Sequence, residues 1–348
     1  MTAGRSTRNQ KQKPLSVDLA LQGGGSHGAF TWGVLDRILD EDWLRIDGIS
    51  GTSAGAMNAV VLAHGYSRGG VAGAKKALER FWRSISEAAL ASLLQRTPLD
   101  ALLGRWTLDG SPYFVAMDML SRVVSPYFSN PAGINPLRDI LTGSVDFDGL
   151  ADSPIKLFIT ATNVRTGRGR VFRNDEIDAK VLLASACLPN LFQAVEIDGE
   201  AYWDGGYSGN PTMTPLVREC ESQDTILVQI NPIERPGTPF LAKDIQNRLN
   251  EVSFNAVLLK ELRMIALLRK TSCRENEEGA RWANMRVHRI SSEIMVALGY
   301  SSKLNAQWDF LAMLRDEGRE AADLFLRKNG QNLGRRSTLD LDELLEGI

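Results

Sequence analysis

The sequence predicts an α/β fold with a mainly parallel central sheet and helices packed on it. A strand, a glycine-rich turn and a helix occur twice in succession near the amino terminus, and strand signals continue to alternate with helical ones to about residue 230. At 348 residues, 43% apolar and 24% charged, the chain has the balance of an ordinary globular protein and can bury a sizeable core.

Val17–Leu21 reads as a buried strand, Gly23–Gly28 as a tight glycine loop, and Ala29–Asp40 as a helix with Phe30, Val34, Leu35 and Ile38 on one face. The pattern repeats as a strand over Ile46–Ser50, a turn over Gly51–Gly55 and an Ala-rich helix over Ala56–His64, which Gly65 is expected to end. Residues 84–142 mix helical spacing with five prolines and the aromatics Trp106, Tyr113, Phe114, Tyr127 and Phe128, and look like an insertion beside the sheet. Strands resume at Ile155–Thr160, Gly169–Phe172, Ala194–Ile197 and Ile226–Ile230, with a helix over Ala179–Ala186. Beyond Pro239 two helical stretches, Lys243–Lys270 and Lys303–Lys328, flank a short strand candidate at Arg286–Ile290. The expected organisation is a basic disordered tail over 1–16, a catalytic domain over 17–235 with the insertion inside it, a C-terminal helical layer over 236–333 and a loosely docked acidic tail over 334–348.

A formal net charge of -2 without a long basic face supplies none of the phosphate-neutralising surface that nucleic-acid binding needs. Cys187, Cys220 and Cys273 are odd in number and far apart, matching neither a disulfide framework nor a metal-ligand spacing, so a reducing, cytoplasmic setting is the simplest expectation. No apolar h-region follows Arg5, Arg8, Lys11 and Lys13, and no run of eighteen apolar residues occurs, so neither a signal peptide nor a membrane-spanning helix is expected.

Gly51-Thr52-Ser53-Ala54-Gly55 fits G-x-S-x-G between a strand and a helix, the setting in which this motif is a nucleophile elbow. Gly51 and Gly55 remove Cβ atoms that would collide with the neighbouring strand and helix, and Ser53 would stand at a helix N-terminus, where the dipole favours negative charge. The plain alternative is a helix-capping serine in a glycine turn. The segment Gly23-Gly24-Gly25-Ser26-His27-Gly28 also fits the dinucleotide pattern G-x-G-x-x-G, with Asp47 nineteen residues beyond Gly28. A dinucleotide needs that acid at the end of the next strand, but Asp47 precedes Gly48-Ile49-Ser50 and the elbow. Side-chain-free backbone converging on one point serves an oxyanion hole instead. Asp204-Gly205-Gly206 reads by itself as a β-turn in which the aspartate bonds its own backbone.

These segments, in this order, resemble the patatin-like phospholipase family over roughly Val17–Asn231, together with the runs ITATNVRTGRGRVF and ASACLPNLFQAVEIDGEAYWDGG. The resemblance implies a patatin-like three-layer sandwich and a lipid ester substrate. It also implies a Ser-Asp dyad of Ser53 and Asp204, oxyanion donors from the backbone N–H groups of Gly24, Gly25 and Ser26, and no catalytic histidine. His27 stands where the family often has Arg or Lys, and an unperturbed histidine is largely neutral at pH 7. In such a site Asp204 takes the Ser53 proton, an acyl-serine forms and water releases the acid, with neither metal nor organic cofactor required. A carboxylate is a weak base unless its pKa is raised, so Asp204 should be desolvated.

Three other readings remain open at this point. A Ser-His-Asp hydrolase would use Ser53, Asp204 and His288, a nicotinamide-dependent oxidoreductase would use the glycine loop, and a lipid-binding scaffold would keep the fold without turnover. His64 is read as a helix-end dipole partner. Across Lys243–Lys270, Ile245, Leu249, Val252, Ala256, Leu259 and Leu262 recur at helical spacing, with Lys243, Arg248, Lys260, Arg263, Arg269 and Lys270 beside them. The stripe is expected to pack on the sheet, and the alternative is peripheral membrane contact shared with the aromatic insertion.

Overall fold

The computed structural model describes residues 13–90, 92–271 and 277–343. Most of the expected basic tail, the last five residues of the acidic tail and Cys273 lie outside the described residues. In chain order the elements are β1 (Leu15–Leu21), α1 (Gly28–Ile38), β2 (Leu44–Gly51), α2 (Ala54–Leu90), α3 (Pro98–Leu102), α4 (Pro112–Ser121), α5 (Pro126–Ser129), α6 (Leu137–Ser144), β3 (Lys156–Asn163), β4 (Gly169–Phe172), α7 (Ala179–Ser185), β5 (Val195–Ile197), β6 (Glu200–Asp204), α8 (Thr214–Glu219), β7 (Asp224–Val228), α9 (Ala242–Thr271), α10 (Glu277–Asn284), β8 (Arg286–Ile290), α11 (Ile294–Ala297) and α12 (Trp308–Asn329).

The strands form one eight-stranded sheet in the order β5-β6-β3-β2-β1-β7-β8, with β4 paired to β3. The block β3-β2-β1-β7-β8 is parallel, and β4, β5 and β6 are joined antiparallel. Side chains alternate between two cores: Val17, Leu19 and Leu21 of β1 enter one with α1, α2, α7 and α12, while Ala20 and Leu227 enter the other with α8, α9 and α10. Helices on both faces make three layers, and buried parallel strands are accordingly near-continuous apolar runs. The α/β expectation is met.

Three local expectations change. The helix expected to end at His64 runs on to Leu90, interrupted by non-helical backbone at Gly69 and Gly70. Trp82 Nε1 donates to Asn58 Oδ1 at 3.0 Å, a contact that a straight helix spanning those 24 residues, about 36 Å long, forbids. The chain therefore folds back at Gly69-Gly70, and Gly65, rather than capping a C-terminus, lets the two arms meet: a Cβ there would lie 2.6 Å from the Gly73 carbonyl oxygen. His64 precedes the reversal by about one turn instead of closing the helix.

The strand expected at Arg286–Ile290 is β8, which extends the sheet beside β7. The stretch read as a loose acidic tail is docked: the N–H groups of Thr338 and Leu339 both donate to the Val287 carbonyl at 3.1 Å, and Leu341 is buried in the second core. In α9 only Leu262 of the expected stripe is buried, and it packs with Leu258, Ile265 and Ala266 on a neighbouring face of the helix. In its first half the buried positions are Glu251 and Asn255, and Ile245, Leu249 and Val252 are exposed.

Candidate active site

The sheet brings the elbow and the aspartate together through one edge of β3. Gly51 at the end of β2 pairs with Ile159, and Asp204 at the end of β6 pairs with Ala161. Ile159 and Ala161 also pair with β4 on the opposite side, so β2 and β6 share the same edge of β3. They run in opposite directions along it, and their C-terminal ends face one another. Ser53 follows one end and Asp204 closes the other.

Ser53 has φ +53°, a left-handed conformation that costs a non-glycine residue about 1–3 kcal/mol and persists only where its surroundings enforce it. The enforcement is visible in several bonds. Its N–H donates to Ser185 Oγ at 2.9 Å, and Ser185 Oγ donates in turn to the Thr160 carbonyl at 2.7 Å. Gly55 N–H closes the turn on the Thr52 carbonyl at 2.8 Å. A Cβ on Gly55 would fall 2.2 Å from the Leu21 carbonyl oxygen, which accounts for the glycine. α2 begins at Ala54, so Ser53 stands at its positive end.

Asp204 is 1% exposed. Its Oδ1 accepts the Gly206 N–H at 2.7 Å, the local turn bond expected of Asp-Gly-Gly, and the Ser53 hydroxyl is near enough to favour its charged form. Burial raises its pKa to about 7, while the Gly206 N–H, the Ser53 hydroxyl and the charge of Lys303 oppose the rise. Gly205 and Gly206 let this turn pack tightly, since a Cβ on the first would meet the Thr160 carbonyl oxygen and on the second the Phe254 ring, each at 2.1 Å.

The glycine loop lies directly against the elbow: a Cβ on Gly23 would be 2.8 Å from Ser53 Cβ. Gly25 has φ +58° and opens a short 3-10 turn, Gly25–His27, that leads into α1. A helix start leaves N–H groups without intrahelical partners, and Gly24, Gly25 and Ser26 occupy that position here. The loop is held from below by buried amides. Asn210 Oδ1 accepts Gly23 N–H at 2.7 Å, Asn231 Nδ2 donates to the Gly23 carbonyl at 2.8 Å, and Gln22 Oε1 accepts the Asn231 N–H at 2.9 Å.

Sequence reasoning missed four residues of this assembly: Ser185, Asn210, Asn231 and Lys303. Ser185 lies within the run ASACLPNLFQAVEIDGEAYWDGG but carries no signal of its own there, Asn210 follows Asp204 by six residues, and Asn231 and Lys303 reach the glycine loop from far along the chain. The Lys303 side chain extends beneath the loop and donates from Nζ to Asn231 Oδ1 at 2.7 Å.

The other sequence-level candidates fall elsewhere. His27 is buried, its Nε2 bonded to Ser302 Oγ at 2.8 Å, and burial, reinforced by Lys303 and Arg235, holds its pKa well below the usual histidine range. It is neutral and carries no charge to the loop. His288 bonds Asp224 Oδ1 through Nε2 and Thr338 Oγ1 through Nδ1, each at 3.0 Å, and so pairs with a different aspartate from Asp204. Asp47 Oδ2 is occupied by the Glu221 and Ser222 N–H groups at 2.5 and 3.3 Å, which leaves it no ribose role at the glycine loop. Cys187 and Cys220 are buried free thiols.

No curated protein matches the chain by sequence. Among solved structures it is similar to VipD from Legionella pneumophila, at 17% identity over 91% of this chain and 67% of that one, with a TM-score of 0.39. It is also similar to ExoU, seen in its heterodimeric complex with SpcU from the type III secretion system of Pseudomonas aeruginosa, at 19% identity over 96% of this chain and 66% of that one, with a TM-score of 0.28. The chain thus spans about two thirds of the length of each. The patatin-like phospholipase profile matches residues 19–217, a stretch holding the glycine loop, the elbow and Asp204, and the chain belongs to that family of lipid hydrolases.

Proposed function

We propose that the protein is a serine acyl hydrolase that cleaves carboxylic esters of phospholipids or related lipids through Ser53 and Asp204. The observation that carries this reading is the strained Ser53 elbow and the buried Asp204 carboxylate brought together by the facing ends of β2 and β6, with the Asp204 pKa raised to about 7, close to that of an effective general base at neutral pH. Asp204 takes the hydroxyl proton as Ser53 Oγ bonds to the ester carbonyl carbon. The resulting oxyanion forms against the N–H groups of Gly24, Gly25 and Ser26. Asp204 then returns the proton to the leaving alcohol oxygen as the C–O bond breaks, giving acyl-Ser53. Water attacks next, Asp204 takes its proton and passes it back to Ser53, and the fatty acid leaves.

Lipid extracts incubated with wild type and with Ser53→Ala, compared by mass spectrometry, test the reading. Free fatty acid and its partner lysolipid or glyceride should accumulate only with wild type. Identical lipid profiles would make this a lipid-binding protein on the same fold.

The enzyme meets its substrate at a lipid surface on this reading. No helix among the described residues is long and apolar enough to cross a membrane, so the contact would be peripheral. Two apolar surfaces support it. The insertion exposes Leu102, Val123 and Phe128 by more than 80% each, and the first half of α9 exposes Ile245, Leu249 and Val252. Phe254 of α9 packs on Gly206 beside Asp204, and the insertion is hydrogen-bonded through Trp106 and Leu108 to the segment that carries Lys303.

A further inference from the structure

Lys303 is a half-buried lysine at the glycine loop that the hydrolytic steps above do not use. Its carbonyl oxygen lies 2.4 Å from where a Cβ on Gly25 would be, so its backbone packs directly on the loop. Its Nζ donates to Asn231 Oδ1 at 2.7 Å, and the same Asn231 side chain holds the Gly23 carbonyl at 2.8 Å. The ammonium also faces the Phe254 ring at 5.9 Å, and that ring abuts Gly206 beside Asp204.

A buried lysine normally has a carboxylate partner. The nearest candidate, Glu251, is committed elsewhere: Arg235 binds it through two nitrogens, with 2.7 Å for the shortest contact, and Arg248 adds another at 3.3 Å. Among the described residues Lys303 forms no ion pair of its own. The other ionisable groups around it are Arg235, whose charge repels it, Asp204 at the end of β6, whose charge attracts it, and neutral His27 on the loop. The segment carrying Lys303 is also pinned to the insertion, because Ser301 Oγ accepts the Leu108 N–H at 3.1 Å and Asn305 Nδ2 donates to the Trp106 carbonyl at 3.0 Å.

Building on the Ser53–Asp204 reading, we propose that Lys303 is the electrostatic positioning residue of the hydrolytic site. Its ammonium, anchored on Asn231 beneath the glycine loop, keeps Asp204 ionised at working pH and favours the oxyanion that forms on the loop. A net positive charge is thereby placed under a loop whose own histidine supplies none. The active form has Asp204 deprotonated and Lys303 protonated. Burial lowers the pKa of Lys303 to about 8, just above the value of about 7 for Asp204, so these two charge states coexist over a narrow range.

The test is the pH profile of kcat/KM on an activated short-chain ester for wild type, Lys303→Met and Lys303→Arg, with Ser53→Ala as the blank. Wild type should give a bell whose limbs, as macroscopic values of a coupled pair, fall near 7 and 8. Lys303→Met, which keeps the apolar stem, should lower the maximum roughly tenfold or more, move the acid limb to higher pH and lose the alkaline limb. Lys303→Arg should keep the acid limb and most of the height, with the alkaline limb gone because a guanidinium stays charged. A Lys303→Met profile that overlays the wild type in shape, or an alkaline limb near 8 that survives in Lys303→Arg, overturns the role of Lys303 while leaving the hydrolase intact. Should Lys303→Met fail to fold, the Arg variant decides alone. Wild type no faster than Ser53→Ala would instead overturn the hydrolytic reading, and this inference with it.

Discussion

Ser185 Oγ sits between the Ser53 N–H, which it accepts at 2.9 Å, and the Thr160 carbonyl, to which it donates at 2.7 Å. One hydroxyl thus ties the strained elbow to the middle of β3. Ser185→Ala leaves that N–H and that carbonyl without their shared partner, at a loss of about 1–3 kcal/mol in stability. The larger effect should be on turnover, because the φ of Ser53 is no longer enforced. Chemical denaturation and ester hydrolysis measured together check this, and a variant unchanged in both would mean that other contacts set the elbow.

Asp204 is held at about 7 in the fold against an ordinary 3.8, so the folded protein binds this proton more tightly than the unfolded chain. The stability it contributes is complete below about pH 4 and is lost as pH rises through 7. Asp204→Asn stays uncharged and still accepts the Gly206 N–H. It should therefore be more stable than wild type at pH 8, by up to a few kcal/mol, with the gap closing toward pH 4. Thermal melts at the two pH values check the sign, and a gap independent of pH would contradict the burial of an ionising carboxylate.

His288 clasps the C-terminal stretch to the sheet through Asp224 and Thr338, with both ring nitrogens engaged at 3.0 Å. His288→Ala should cost about 1–3 kcal/mol by leaving buried partners unpaired, and should keep its kcat/KM. A folded but inactive variant would restore histidine to the chemistry.

Liposome co-sedimentation separates the two surfaces proposed to meet lipid. Phe128→Ser combined with Val123→Ser removes two side chains exposed by more than 80%, and should weaken vesicle binding severalfold while hydrolysis of a soluble ester is unchanged. Basic residues beside α9 should make wild-type binding rise with anionic lipid and fall with salt. Binding indifferent to both the substitutions and the salt would leave these faces without a lipid role.

The parallel core was legible because its strands are short apolar runs bounded by glycine turns, and each loop–helix unit is local in sequence. The Ser53 turn and the glycine loop stood out because glycines recur there at fixed spacing, whereas Asp204, by itself a β-turn residue, was singled out only by the family resemblance. Other parts were not. Gly65 reads like a helix end, and the turn that reverses α2 falls instead at the Gly69-Gly70 pair, because a glycine that permits close helix contact looks the same in sequence as one that ends a helix. The apolar spacing of α9 runs unbroken from Ile245 to Leu259, yet the buried face is a neighbouring one, Glu251, Asn255, Leu258, Leu262 and Ile265, which begins with polar residues and so does not stand out as apolar. Ser185, Asn231 and Lys303 are ordinary residues made significant only by contacts across more than 70 positions of sequence.

The most direct measurement of the central claim is fluorophosphonate labelling followed by peptide mapping on wild type and Asp204→Asn. One label per chain, on the peptide containing Ser53, and a labelling rate lower by several orders of magnitude in Asp204→Asn, is the predicted result. A label on another serine, or Ser53 labelled at an undiminished rate without the carboxylate, would contradict the pairing of Ser53 with Asp204.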